Sequence, residues 1–155
     1  MYTEKGSLLD FFMPIIPVAT TDSGVLQEID IGASSADHGE LSCFRRCSVR
    51  RLAFAVTGEA ASGTTTAPTV IFTKRPTPNS ATGESVICTL TIPSGTAIGK
   101  TVYKDIDPVN FAVGDSLEIS HTVGVGTPTG MGVAYGEADE DPERAANESD
   151  MIASA

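Results

Sequence analysis

The sequence predicts an all-β protein, an antiparallel β-sandwich or jelly-roll-like single domain with extended N- and C-terminal arms. Apolar and polar residues alternate in about eight short segments, spaced about 8–15 residues apart, and no window has a helical period. Threonine, glycine and serine occur 18, 15 and 14 times, which is typical of strands joined by tight turns. A chain of 155 residues can bury one hydrophobic core but is short for two.

Composition divides the chain into three parts. Residues 1–24 hold a dense apolar cluster without strand or helix periodicity, and Pro14 and Pro17 interrupt it. We interpret this part as a retained N-terminal arm that lies along a hydrophobic groove, either of its own domain or of a partner. Residues 25–136 carry the alternating segments and form the β-sandwich domain. Residues 137–155 are an acidic C-terminal tail, with seven acidic residues and one base, Arg144, between positions 137 and 150.

The alternating segments predict the strands and the core. The predicted strands lie within residues 25–31, 43–56, 70–75, 86–92, 101–106, 109–113, 117–125 and 131–135. Residues 34–39 and 59–68 are predicted as loops because they are rich in small and turn-forming residues, and Asp107-Pro108 is predicted to break a strand. The predicted core consists of Leu52, Phe54, Val70, Phe72, Leu90, Ile92, Phe111, Leu117 and Ile119.

The charge balance argues against two kinds of partner. The formal net charge is −10, whereas proteins that bind nucleic acid or anionic membrane surfaces concentrate Lys and Arg. The longest apolar run, residues 11–19, contains two prolines and is far shorter than the roughly 20 residues of a membrane span. We therefore expect neither nucleic acid nor a membrane as partner.

The residues that could carry chemistry favour structural interpretations. Cys43, Cys47 and Cys88 are expected as buried reduced thiols, with a Cys43–Cys88 or a Cys47–Cys88 disulfide as the alternative. His121 alternates with apolar residues and is expected to point inward, whereas His38 is expected in a solvated turn. We expect no catalytic residue, metal or cofactor.

Residues 114–117 spell the Gly-Asp-Ser-Leu motif that names a family of serine esterases. No D-x-x-H sequence follows it, and in those enzymes the serine comes early, in an α/β fold. A tight turn at Gly114-Asp115, with Ser116 opening the next strand, is therefore the favoured interpretation.

Two groups of residues are candidates for contact with a partner. One is an arginine cluster, in which strand geometry would put positions 46 and 50 on one face and positions 45 and 51 on the other. It is either a solvated strand paired with neighbouring acids or an inter-subunit contact to carboxylates, including those of the acidic tail. The other group is the apolar residues of the two arms. The candidates are Arg45, Arg46, Arg50 and Arg51 in the cluster, Leu8, Leu9, Phe11, Phe12, Ile15 and Ile16 in the N-terminal arm, and Met151 and Ile152 in the tail.

The order of strands and turns from residue 45 to residue 150 carries a resemblance. One strand leads into Ile92-Pro93-Ser94-Gly95-Thr96-Ala97-Ile98-Gly99-Lys100, a second is followed by Phe111-Ala112-Val113-Gly114-Asp115, and an acidic tail that contains asparagine follows the last strand. In this respect the chain resembles small virion structural proteins of tailed bacteriophages, the class that includes capsid decoration (cement) proteins.

The resemblance implies a non-enzymatic structural protein on the exterior of a virion. It implies a β-sandwich homo-oligomer, with a trimer as the expected state, that is made in the host cytoplasm and stabilises the shell by bridging major capsid protein subunits. The alternative is a carbohydrate- or protein-binding β-sandwich module of a fibre or a secreted protein. The chain has no tryptophan and three tyrosines, which disfavours sugar binding because sugar sites present aromatic platforms.

Overall fold

Two antiparallel β-sheets face each other in the computed structural model, which describes residues 11–14, 28–43, 46–78 and 80–140. Sheet A contains β1 (Phe11–Pro14), β2 (Ile29–Asp30), β4 (Cys47–Thr66), β7 (Thr101–Phe111) and β9 (Val125–Glu140). Sheet B contains β3 (Ala36–Ser42), β5 (Thr69–Arg75), β6 (Ser85–Thr91) and β8 (Ser116–Thr122). The described part of the chain contains no helix, and the predicted all-β sandwich is confirmed.

The strands pair in a nested order. Sheet A runs β1–β9–β4–β7, with β2 also paired to β9, and sheet B runs β3–β8–β5–β6. Consequently β2 pairs with β9, β3 with β8, β4 with β7 and β5 with β6. The chain is thus a long antiparallel hairpin that folds over on itself into two sheets.

The predicted core is confirmed in full. All nine residues are buried, with exposed fractions of 0–3%. They belong to one cluster with further apolar side chains from both sheets, among them Ile29, Ile31, Val49 and Val56. Burial of these side chains, each worth about 1.5–3 kcal/mol, holds the two sheets together.

Small residues on β9 make room for the largest residues of β4. The core-facing positions of β9 are Gly132, Ala134, Gly136 and Ala138, and the larger residues between them lie on the other face. A Cβ added to Gly132 would overlap the carbonyl oxygen of Ala55 and lie 2.7 Å from Cζ of Phe54. The β4–β9 pairing therefore depends on glycine at this position.

A β-bulge at Arg50 reverses the alternation of β4. Val49 pairs with Ala138 and Arg51 with Glu137, so that Arg50 is an extra residue with no counterpart on β9. The large buried side chains consequently fall at odd positions before the bulge, as at Val49, and at even positions after it, as at Leu52, Phe54 and Val56. Simple alternation, which put positions 50 and 51 on opposite faces, is wrong at this point.

Two of the predicted loops are strands. Residues 36–42 form β3, which includes a bulge between Asp37 and Gly39, because they pair with β8 although their side chains do not alternate. The predicted loop 59–68 is largely the second half of β4, which reaches Thr66 and follows β9 through repeated register shifts. A Cβ on Gly63 would overlap the carbonyl oxygen of Thr127, so small residues here permit close approach of two backbones.

Asp107-Pro108 does not break the strand as predicted, because β7 is continuous from Thr101 to Phe111. Val49 pairs with Val109 and Arg51 with Asp105, which leaves Pro108 within an irregular stretch of an edge strand. A proline is tolerated there because its missing N–H is not needed by a neighbour.

The predicted boundary between residues 136 and 137 falls inside a strand of sheet A, and the one between residues 24 and 25 lies outside the described residues. Strand β9 continues beyond position 136 to Glu140, so the first four residues of the predicted tail belong to a strand. Residues 11–14 of the predicted arm form β1, which pairs with the other end of the chain. The rest of the two arms lies outside the described residues. Of the predicted strand 25–31, which belongs to the predicted domain, the structure shows β2 at Ile29–Asp30.

Substitution of Gly132 by alanine should destabilise the protein, because the new methyl group meets backbone and a buried ring. We expect a loss of about 1–3 kcal/mol of unfolding free energy, measured by urea titration. Gly136→Ala is the matched control, since its Cβ would lie 3.0 Å from Cδ2 of Leu52, the end of a side chain that can move. Both changes reduce the entropy of the unfolded chain alike, so equal effects would contradict the close approach at Gly132.

Candidate functional site

The free edge of β9 receives the N-terminal segment of the chain. Strand β1 pairs antiparallel with β9 from Phe11 opposite Ala138 to Pro14 opposite Tyr135. Strand β2 continues along the same edge, with Ile29 opposite Gly132. Both must lie on the side of β9 away from β4, because β4 occupies the other side over these residues. The N-terminal segment is thus an edge strand of sheet A.

The structure describes only some of the predicted contact residues. Those outside the described residues are Leu8, Leu9, Ile15, Ile16, Arg45, Met151 and Ile152. For Phe11 and Phe12 it describes the backbone pairing with β9. Arg46, Arg50 and Arg51 lie within the described part, at the start of β4 and just before it.

One row across sheet A joins the arm to the arginine cluster, and we call it the Arg51 row. It consists of Phe12, Glu137, Arg51 and Asp105, on four neighbouring strands. Nε of Arg51 donates to Oδ1 of Asp105 at 2.6 Å, and Nη1 lies 3.6 Å from Oε2 of Glu137. The hydrogen bond from Arg51 lowers the pKa of the Asp105 carboxyl and raises that of the guanidinium. Two groups that the sequence analysis singled out separately are therefore neighbours.

Beside this row lies an open hollow of about 350 Å³. It is lined by Arg50, Arg51, Asp105, Ile106 and Glu137, so the bulge directs both arginines to one place. The guanidinium of Arg51 also lies over the ring of Tyr103, 4.7 Å from its centroid. Arg51 thus contacts acids of its own chain, as the solvated-strand interpretation expects, while the inter-subunit interpretation stays a prediction.

The outer face of sheet B carries a network of charges centred on Arg75. Its guanidinium pairs with Glu40, with Glu118 at 2.7 Å and with Glu84 at 3.2 Å. Ser116 is fully buried and its hydroxyl donates to Glu40 at 2.8 Å. Burial raises the pKa of Glu118, and the charge of Arg75 opposes that shift.

The Gly-Asp-Ser-Leu tetrapeptide is the turn that the sequence favours. Gly114 has a φ of 93°, the N–H of Asp115 donates to the carbonyl of Ala112 at 3.2 Å, and Ser116 begins β8. The carboxylate of Asp115 accepts from the N–H of Ala112 at 2.9 Å and closes the turn. The hydroxyl of Ser116 is engaged by Glu40 and so links β8 to the neighbouring strand β3.

The two histidines of the chain lie together, which the sequence analysis missed. His121 is buried and points inward as predicted. His38 is half-buried on β3 rather than in a solvated turn, and its ring stacks on that of His121 with centroids 4.8 Å apart. Nε2 of His121 donates to the carbonyl of Ala33 at 3.2 Å, so its Nδ1 is the acceptor for Nε2–H of His38 at 2.6 Å. The hydrogen bond and the ring stacking of the two histidines therefore hold the edge strand β3 against β8.

The structure also describes the three cysteines, and its described residues were searched for a metal site and for a membrane-spanning helix. Cys43, Cys47 and Cys88 are buried, as predicted, and no disulfide joins them in this structure. Among the described residues, no group of three or more histidine, cysteine or acidic side chains could hold a metal ion. The same part of the chain contains no helix long and apolar enough to cross a membrane.

Comparisons of this chain with protein-family models, with curated proteins and with solved structures find no match.

The histidine pair makes stability depend on pH. Burial, and then the charge of His121, lower the pKa of His38 below its ordinary value of 6.5. The unfolded chain therefore binds more protons there, so the stabilisation is present above about pH 6.5 and is lost as the pH falls through the lowered pKa. Unfolding free energy should fall from about pH 7.5 to about pH 5.5 more steeply for the wild type than for His38→Gln.

The comparison with His38→Gln separates the contribution of His38 to the pH dependence of the unfolding free energy from the contribution of Glu118. Because the pKa of Glu118 is raised, that carboxyl acts in the opposite direction in both proteins. Urea titrations at each pH measure the difference in slope. Parallel pH profiles for the two proteins would contradict the proposed role of the pair.

Proposed function

We propose that this chain is a non-enzymatic structural protein of a bacteriophage virion, which decorates the outside of the capsid and bridges major capsid protein subunits. It acts as a homo-oligomer, with a trimer as the expected state, and is made in the host cytoplasm before it joins the particle. The observation that carries the proposal is the pairing of β1 with the edge of β9. A segment that joins a sheet by strand addition can also join the edge of a neighbouring chain.

The length of chain between β1 and β2 supports this role. Fourteen residues, 15–28, separate Pro14 from Ile29, whereas two residues on β9 separate their partners Tyr135 and Gly132. An uninterrupted edge strand would need only about two residues. Fourteen residues can span roughly 45 Å when extended, so the linker does not restrict β1 to the β9 edge of its own chain.

The nested strand pairing supports the same class of function. We propose that the domain is a jelly roll, because the nested pairing of β2 with β9, β3 with β8, β4 with β7 and β5 with β6 is the order expected of a hairpin folded over into two sheets. Jelly rolls are common in viral capsid proteins and in lectins. Because a fold does not determine a function, this connectivity favours a virion structural protein and a sugar-binding protein alike.

The outer face of sheet A favours a protein partner over a sugar. Of the aromatic side chains that the structure describes, Tyr103 is the exposed one, at 58%. The guanidinium of Arg51 covers one face of its ring. A sugar would have to displace that contact, whereas a protein surface can cover Tyr103 and the neighbouring ion pairs together. A glycan array without hits is the expected result.

Deletion of residues 2–17 should leave the β domain folded and abolish oligomer formation or attachment to capsids, because it removes β1 and the apolar residues around it. Attachment is measured by co-sedimentation with empty capsids and oligomeric state by analytical ultracentrifugation. Far-UV circular dichroism checks that the truncated domain is folded.

Deletion of residues 2–10 is the matched control because it keeps β1. The protein without residues 2–10 should still attach to capsids in part. Comparing its attachment with that of the protein without residues 2–17 separates the contribution of Leu8 and Leu9 from that of β1. A full-length chain that sediments as a 16.1 kDa monomer and binds no shell would contradict the proposal. Unchanged attachment after deletion of residues 2–17 would contradict the role of the arm.

A further inference from the structure

An open hollow of about 360 Å³ lies at the end of the sandwich where the chain passes from β7 of sheet A to β8 of sheet B. Arg46, just before β4, and Lys74, on β5, bring a guanidinium and an ammonium to its lining. Cys47, Phe111 and Asp115 also line it. Two cations and one carboxylate give the hollow a net positive charge, although the chain has a formal net charge of −10.

The ammonium of Lys74 has a fixed position in this hollow. It lies 3.0 Å from Oδ2 of Asp115 and donates to the carbonyl of Asn110 at 2.7 Å. It also lies over the ring of Phe111, 5.2 Å from the centroid. The Lys74 side chain is 25% exposed and an ammonium has three donors, so it can bind a further carboxylate while it keeps these contacts.

The last strand of sheet A ends beside the hollow. Cys47 pairs with Phe111 on one side and with Glu140 on the other, so these three residues form one row across the sheet. Neighbouring strands lie about 4.8 Å apart, which puts the backbone of Glu140 roughly 10 Å from that of Phe111. The chain after Glu140 therefore leaves sheet A at the end of the sandwich where the hollow lies.

Residues 141–150, which we call the tail segment, come next in the chain. They carry a formal charge of −3, from four acids and one base. The acids are Asp141, Glu143, Glu148 and Asp150, and the base is Arg144. Three extended residues span about 10 Å, so the first two acids are within reach of a hollow that lies about two strand spacings away. The charge of the tail segment and the place where it starts therefore both match the hollow.

We propose that the tail segment binds in the hollow of its own domain, with its first two carboxylates, those of Asp141 and Glu143, against the two cations. These contacts are charge-assisted hydrogen bonds, and the guanidinium of Arg46 can bind a carboxylate through two of them. The recess excludes part of the surrounding water, which strengthens the attraction between opposite charges. The bound segment fastens the end of β9 and covers the passage between the two sheets.

Trypsin tests the proposal, because Arg144 is the one Lys or Arg residue after Lys104 and cleavage there releases residues 145–155. The folded full-length chain and a synthetic peptide of residues 141–155 are digested in the same buffers, and mass spectrometry follows the initial rate of that release. At about 20 mM NaCl the full-length chain should be cleaved at Arg144 several-fold more slowly than the peptide. At about 500 mM NaCl this difference should largely disappear, because salt screens the ion pairs.

A substitution in the hollow should remove most of this protection, and we choose Arg46→Gln. Lys104→Gln is the matched control, because it makes the same change of net charge at an exposed residue of β7 outside the hollow, and it should be cleaved as the wild type is. Circular dichroism checks that both variants are folded, and the salt dependence of the wild type needs no variant.

Two results would overturn the proposal. One is cleavage of the wild type at the rate of the peptide, and the other is equal protection of Arg144 in the two variants. Protection that falls on dilution of the protein would assign the tail segment to the hollow of a second copy, and would overturn its binding to its own domain.

Discussion

The pairing of β4 with β9 is the constraint on which the rest of the structure depends. These two strands form the centre of sheet A, and Phe54 packs into the core against β9 only because position 132 of β9 is glycine. A shift of one residue would turn the larger residues of β9 inward, since the side-chain period of a strand is two. The bulge at Arg50 lets both ends of β4 keep their apolar residues inside while the pairing continues.

The same ladder determines what the surface of sheet A presents. With β4 on one side of β9, the other side is the edge that β1 and β2 occupy. Across the sheet, the ladder sets Arg51 between Glu137 and Asp105, in the row that begins at Phe12. Strand β1 and Arg51, more than thirty positions apart in the sequence, therefore lie in one sheet on either side of β9.

The sequence predicts those elements whose side-chain pattern and burial agree, and fails where backbone contacts decide. Apolar and polar residues alternate in the sequences of β5, β6 and β8, and the core residues predicted from that alternation are buried. Val86, which the same alternation placed in line with Cys88 and Leu90, is exposed. Strand β3 and the second half of β4 are polar or small, and only their distant partners make them strands. The inward direction of His121 follows from alternation, but its partner His38 lies 83 positions away on a bulged strand, and no local signal connects them.

The two outer faces of the sandwich differ in what a partner would have to displace. On the outer face of sheet B, Arg75 forms ion pairs with three carboxylates, so this network has a net negative charge and its polar groups already bind one another. A partner that covered this face would gain few new hydrogen bonds and would lie against three carboxylates and one guanidinium, which is unfavourable unless the partner brings positive charge. Along the Arg51 row the charges of Arg50 and Arg51 match those of Asp105 and Glu137, and the exposed ring of Tyr103 lies beside them. Sheet A, which also carries the arm, is therefore the face at which association costs least.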